Sequence, residues 1–99
     1  MAVKRLIIHP AALEEMKSAV AWYMERSETA ALNFVAELER GIDQILEAPS
    51  RWPHGGQSTR KYVLRRYPFA VVYREKETAV EILAVAHGYR RPSYWKGRL

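Results

Sequence analysis

Within eight residues near the end of the chain stand an imidazole, two guanidiniums and a phenol: His87, Arg90, Arg91 and Tyr94. An unperturbed imidazole titrates near neutrality and can take or give a proton there. Arginine clamps a phosphate with paired N–H donors, and tyrosine can stack on a base or act as an acid. Cleavage of RNA through its 2′-hydroxyl asks for such a set: a base, an acid, and cations to stabilise the charge that builds on the phosphate. Arg65, Arg66 and Arg74 are further candidates for binding a phosphate or another acidic target. Each residue also has a plainer role. His87 can cap a strand end, its ring bonded to a backbone carbonyl. Arg65 and Arg66 can be solvated edge-strand charges that discourage aggregation. Arg74 can pair across a turn with Glu75, Glu77 or Glu81, for little net energy. Tyr94 and Trp95 can pack on a sheet and tie down the tail.

The elements that position this cluster can be read from the pattern of apolar residues. Phe69 to Arg74 and Val80 to Ala86 are β-branched, apolar runs on either side of the polar stretch Glu75-Lys76-Glu77-Thr78, which predicts two adjacent antiparallel strands. The His–Arg–Tyr cluster follows the second strand directly. Upstream, Val3 to His9 reads as a strand ended by Pro10, which suits the first turn of a helix. From Ala11 to Arg26, Leu13, Met16, Val20, Tyr23 and Met24 recur at helical spacing, opposite Glu15, Ser18 and Trp22. Trp22 on the polar side is either a loosely packed surface residue or an interface anchor. Ser27 is an N-cap for a second helix, whose stripe runs through Ala31, Phe34, Val35, Leu38, Ile42, Ile45 and Leu46 until Pro49 stops it. Gly41 on the edge of that stripe is either a mark of close approach by the first helix or a tolerated surface glycine.

Pro49 to Thr59 is a loop by its prolines and its glycine pair, from which Arg51, Trp52 and His54 can reach a ligand, or Trp52 folds back as a lid over the end of the core. Lys61 to Arg66 resumes a strand with Tyr62 and Leu64 on one face. The expected fold is therefore α+β, in the order β-α-α-β-β-β. An antiparallel helix pair covers one face of a largely antiparallel four-stranded sheet, and the other face is left open. With Phe69, Val71 and Tyr73 toward the helices, Leu83, Val85 and His87 form the outward set on the last strand, unless the register is inverted.

Composition narrows the classes further. The chain of 99 residues, 48% apolar, has the size of one domain spanning residues 1–99. Its formal charge of +5 favours acidic partners. Without cysteine there is no disulfide framework and no thiolate zinc site, and His9, His54 and His87 are too scattered for a metal site. No cofactor is expected. The run Leu6-Ile7-Ile8 is too short for a signal peptide or membrane span, so a cytoplasmic protein without membrane contact is expected.

This order of elements resembles the RelE/ParE superfamily of toxins from type II toxin-antitoxin modules. The resemblance is carried by Tyr67-Pro68-Phe69-Ala70-Val71-Val72-Tyr73-Arg74, by Ile82-Leu83-Ala84-Val85-Ala86-His87-Gly88-Tyr89-Arg90-Arg91, and by Pro92 and Tyr94-Trp95 beyond. It implies a growth-arresting toxin neutralised by a cognate antitoxin protein, for which Trp22 would be the exposed anchor. RelE-like members cut messenger RNA on the ribosome without a metal; ParE-like members share the fold and poison DNA gyrase. In the nuclease reading His87, Arg90, Arg91 and Tyr94 would be catalytic. Ribonuclease-active relatives, however, carry an arginine three residues before the hairpin tyrosine, and the residue three before Tyr73 is Ala70. The loop from Pro49 to Thr59 also lacks closely spaced lysines. The incomplete constellation favours gyrase as the target over ribosome-bound mRNA, and a decayed toxin that only binds its antitoxin is the third reading.

Overall fold

The computed structural model describes residues 4–99, so Val3, the expected start of the first strand, lies outside the described residues. Strand β1 (Arg5–Ile8) leads into helices α1 (Pro10–Arg26) and α2 (Glu28–Glu47), followed by β2 (His54–Gly56), β3 (Thr59–Val63), β4 (Phe69–Glu75) and β5 (Ala79–His87). A one-turn 3₁₀ helix follows α2, and a second one, Tyr94–Arg98, closes the chain. The sheet order is β1-β5-β4-β3-β2, with β1 parallel to β5 and every other pair antiparallel.

Local chemistry sets the helix ends. His9 caps α1, its Nδ1 accepting the Ala11 N–H at 3.0 Å, and Pro10 fills the first turn, where a missing N–H costs nothing. Ser27 ends α1 and begins α2: its hydroxyl accepts the Ala30 N–H at 3.1 Å, while its own N–H donates to the Tyr23 carbonyl at 2.7 Å. The α2 stripe buries Ala31, Phe34, Leu38 and Ile45 as its spacing predicts. On α1 the buried positions are Ala12 and Ala19, with Met16, Val20 and Tyr23 packed beside them, whereas Leu13 and Met24 stay exposed. The small alanines let α1 approach its neighbours closely, and this turns Glu15 inward.

β3 begins at Thr59 and stops at Val63, short of the expected end at Arg66, and the sheet differs from expectation in two further places. It has five strands, because His54–Gly56, inside the expected loop, pairs with β3. A two-residue turn at Gln57 and Ser58, both at positive φ, joins them, as hairpins of the type I′ kind require. Second, β5 carries a bulge: Val72 pairs with Ala84 but Tyr73 pairs with Ile82. The extra residue is Leu83, so Leu83 and Ala84 both pack on the outward face with Val72. Parity is thereby shifted downstream. Val85 joins the helix-facing core with Val71, Tyr73 and Ile82, and His87 stands beside Phe69 on that side, their rings edge to face at 5.1 Å. Of the expected outward set only Leu83 faces outward.

The outward face, expected to be open, is covered in part. Trp95, 5% exposed, packs on Val72, Leu83 and Ala84. At the far end of α2, Trp52 folds against Tyr62 at 4.7 Å between centroids, as expected of a lid over the core. Gly41 accommodates that tyrosine and not the first helix: a Cβ at position 41 would lie 2.7 Å from the ring of Tyr62.

Glu37 of α2, 8% exposed, accepts the backbone N–H groups of Arg65 at 2.5 Å and Arg66 at 3.2 Å, and so fixes the β3–β4 connection. Glu37→Ala leaves both amides unpaired beside the core. It is expected to destabilise the protein by about 1–3 kcal/mol in urea unfolding, with Glu37→Gln, which keeps an acceptor, costing less; equal losses in the two variants would refute this role.

Candidate functional site

The end of β5 is built from short-range contacts. Gly88 N–H donates to the Pro68 carbonyl at 2.8 Å, and Arg90 N–H donates to the His87 carbonyl at 3.0 Å, closing a tight turn. His87 Nδ1 accepts the Tyr89 N–H at 3.1 Å. The neutral ring therefore carries its proton on Nε2. Phe69 fixes the ring from one side, and Tyr89 lies on it at 5.1 Å between centroids. Behind them Tyr23, Phe34, Tyr67 and Phe69 form one aromatic cluster, anchored to α2 by the Tyr67 hydroxyl, which donates to the Ala30 carbonyl at 2.9 Å. Tyr89 itself is 94% exposed at the tip of the turn.

Two hollows meet at this turn. A groove of about 640 Å³ runs over the outward face of the sheet toward the C-terminal turn, with Ala70, Val72 and Ala86 among its lining. His54, Lys61, His87, Arg90 and Arg91 line it too, and no acidic side chain does. Ala70 is buried there between Val63 and Ala86 of the neighbouring strands. The second hollow, about 490 Å³, lies between α1 and the hairpin and is lined by Trp22, Tyr23, Phe69 and Val85 with Glu14 and Glu15; His87 and Arg90 are common to both.

The structure thus brings His87, Arg90, Arg91 and Tyr94 to one groove. It does not bring the other arginines there. Arg65 and Arg66 line a separate depression with Arg40 and Tyr62. Arg74 lies toward the hairpin's turn, where its Nε donates to Glu81 at 2.8 Å; this is the cross-turn pairing. Trp22 is 52% exposed on the rim of the α1 hollow, with the Arg26 guanidinium 3.7 Å above its ring.

Sequence reasoning missed Glu15 and Arg98. The two form a half-buried ion pair: Arg98 Nη1 meets Glu15 Oε1 at 2.9 Å, and Nη2 meets Oε2 at 3.0 Å. Glu15 also accepts the Val85 N–H at 3.0 Å and the Tyr94 hydroxyl at 2.7 Å, and Arg98 donates to the Leu83 carbonyl at 3.0 Å. Burial would raise the Glu15 carboxyl, but the hydrogen bonds from Arg98, Tyr94 and Val85 outweigh it and hold the group below its ordinary 4.5. Burial and the bond to Glu15 push the Tyr94 phenol up to about 12. No local pattern in the sequence joins residues so far apart.

Among the described residues no group of three His, Cys, Asp or Glu is placed to hold a metal ion, and no helix is long and apolar enough to cross a membrane.

Because the folded Glu15 carboxyl lies below its unfolded value, its contribution is complete above about pH 4.5 and is lost as pH falls through the folded value. Glu15→Gln should cost about 1–3 kcal/mol in urea unfolding at neutral pH. The gap from wild type should narrow in acid, and a gap independent of pH would refute the ionised pairing.

Comparison with known proteins places this architecture. A family model described as the ParE toxin of the type II toxin-antitoxin system parDE matches residues 6–92, which leaves Tyr94 and Arg98 beyond the matched stretch. Toxin RelE1 of Caulobacter vibrioides is 26% identical over 85 residues, covering 84% of this chain and 91% of the relative. A chain of the chromosomal ParDE toxin-antitoxin system from P. aeruginosa has the same fold, with a TM-score of 0.75 at 18% identity over 86% of this chain and 96% of that one. With the family match running from β1 past the end of β5, the chain belongs to the ParE toxin family of type II toxin-antitoxin systems.

Proposed function

We propose that this toxin arrests growth by binding a protein target, DNA gyrase held on cleaved DNA, and not by cutting messenger RNA. The observation that carries this reading is the engagement of the Tyr94 hydroxyl and of His87 Nδ1 within the fold. The Tyr94 hydroxyl donates to Glu15 and is pushed up to about 12, far from a working acid at neutrality. His87 spends Nδ1 on the Tyr89 N–H, which leaves Nε2 protonated and without a lone pair to take a 2′-hydroxyl proton. Ala70 supplies no cation to the groove floor, and Arg65, Arg66 and Arg74 lie elsewhere.

What the turn offers instead is a contact surface. Tyr89, Arg90 and Arg91 stand exposed at its tip, and tyrosine and arginine are the residue types that dominate binding energy at protein interfaces. The basic groove beside them favours an acidic surface and speeds encounter with one. A type II toxin has a cognate antitoxin as partner, and Trp22, a large exposed aromatic over a hollow, is our anchor for that contact.

Purified toxin should make gyrase accumulate cleaved DNA while leaving messenger intact in a translating extract, as mapped by primer extension of 5′ ends. New ends within ribosome-occupied codons would overturn the reading and make His87, Arg90, Arg91 and Tyr94 the residues to mutate. Tyr89→Ala should weaken gyrase inhibition by about tenfold or more without loss of fold. Trp22→Ala should weaken the antitoxin complex by more than about 1 kcal/mol in calorimetric titration; an unchanged affinity would return it to the ordinary surface.

A further inference from the structure

Strand β1 covers only part of β5. Its register runs from Arg5 opposite Ala79 to Ile8 opposite Ile82, and the last bond on that side is His9 N–H to the Ile82 carbonyl at 2.9 Å. Beyond it, the Leu83 carbonyl and the Val85 N–H have no strand partner. Both are half-enclosed between α1 and the C-terminal turn, where an unmade bond is costly. Arg98 donates to the first and Glu15 accepts from the second, and the two side chains are bonded to each other by both guanidinium nitrogens. A helix residue and a tail residue therefore continue the sheet edge where the strand stops.

This pairing also fixes the tail. Tyr94, bonded to Glu15 through its hydroxyl, lies under the Arg90 guanidinium, which sits 3.9 Å from the ring centroid. Trp95, next in the chain, closes over Val72, Leu83 and Ala84. The segment between the end of β5 and Tyr94 is thereby tied at both ends: at its start by Gly88 N–H on the Pro68 carbonyl, and at its end by the Glu15 network. Glu15 lines the α1 hollow while Tyr94, which it holds, lines the sheet-face groove.

We propose that Glu15 is a positioning residue for the target contact: through Arg98 and Tyr94 it clamps the C-terminal segment, and the clamp sets where Arg90 and Arg91 stand. The functional half of this rests on the reading of the Tyr89–Arg91 turn as the contact with the target; the clamp does not. The choice of residues fits the task. A carboxylate is needed because three donors converge on it, and an arginine because its fork meets both carboxylate oxygens and a carbonyl at once.

Limited trypsin digestion reads the clamp directly, because Arg90, in the tied segment, and Lys96, just beyond Tyr94, are cleavage sites not followed by proline. In Glu15→Gln and Arg98→Met, cleavage after these residues should be about tenfold or more faster than in wild type, while the stretch up to the end of β5 survives. Arg98→Lys, with charge but no fork, should be intermediate. Growth arrest at matched protein level should fall in step with tail release. Ile45→Val, a core change on α2, should lower stability without speeding tail cleavage. Should Glu15→Gln fail to fold, Tyr94→Phe removes one bond of the network and should speed cleavage by a smaller factor. Cleavage at the wild-type rate in folded Glu15→Gln or Tyr94→Phe would overturn the clamp. Fast cleavage with full growth arrest would overturn its link to the target. Full arrest by Tyr89→Ala would instead strike the reading of the turn and leave the clamp standing.

Discussion

The carboxylate of Glu15 is where helix, sheet and tail meet. Placing a charged pair half out of water is costly, and attraction between the partners does not by itself repay the cost. Here the remaining valences are filled: Glu15 accepts from Val85 and Tyr94 as well as Arg98, and Arg98 reaches the Leu83 carbonyl. Removing either partner would strand the other, together with a strand-edge group. The ion pair is thus bound up with the backbone accounting of β5. It lets β1 be short and the tail be ordered at once.

The bulge at Leu83 is the second constraint on which the site depends. Without it strict alternation would send Val85 and His87 outward and leave the helix-facing core short of a valine. With it, β5 buries Val80, Ile82 and Val85 toward the helices and Leu83 and Ala84 toward Trp95. A strand covered on both faces reads as a continuous apolar run, which is what Ile82 to Ala86 is. The same shift sets His87 against Phe69, at the ridge between the two hollows.

Around that ridge the chemistry is divided by charge. The sheet-face groove carries five basic or imidazole side chains and no carboxylate, whereas Glu14 and Glu15 border the hollow behind it. Such a groove attracts an acidic surface. Recognition and chemistry ask different things of the same residue types. Arginine and tyrosine serve an interface when exposed, as Tyr89 and Arg91 are, and serve catalysis only when their protons and lone pairs are free. The Tyr94 hydroxyl and the His87 Nδ1 are engaged within the fold.

Sequence alone determined what depends on neighbours along the chain. Ser27 as a cap, the α2 stripe, the Phe69–Ala86 hairpin, the lid of Trp52 and the α+β order with two helices on one face are all local statements, written in spacing, capping and turn chemistry. So was the family, whose residues cluster in that hairpin. Tertiary structure decided what depends on packing between distant segments. The strand at His54–Gly56 exists because β3 offers it an edge, and the parity of β5 changes because one residue bulges. Gly41 serves Tyr62, and Glu15, on what the helical pattern makes a polar face, turns inward because Ala12 and Ala19 let α1 settle deeply. Helical spacing says which residues share a face; it does not say how far that face rotates toward a sheet edge left unfinished by a short strand, and that rotation is what carries Glu15 to Arg98.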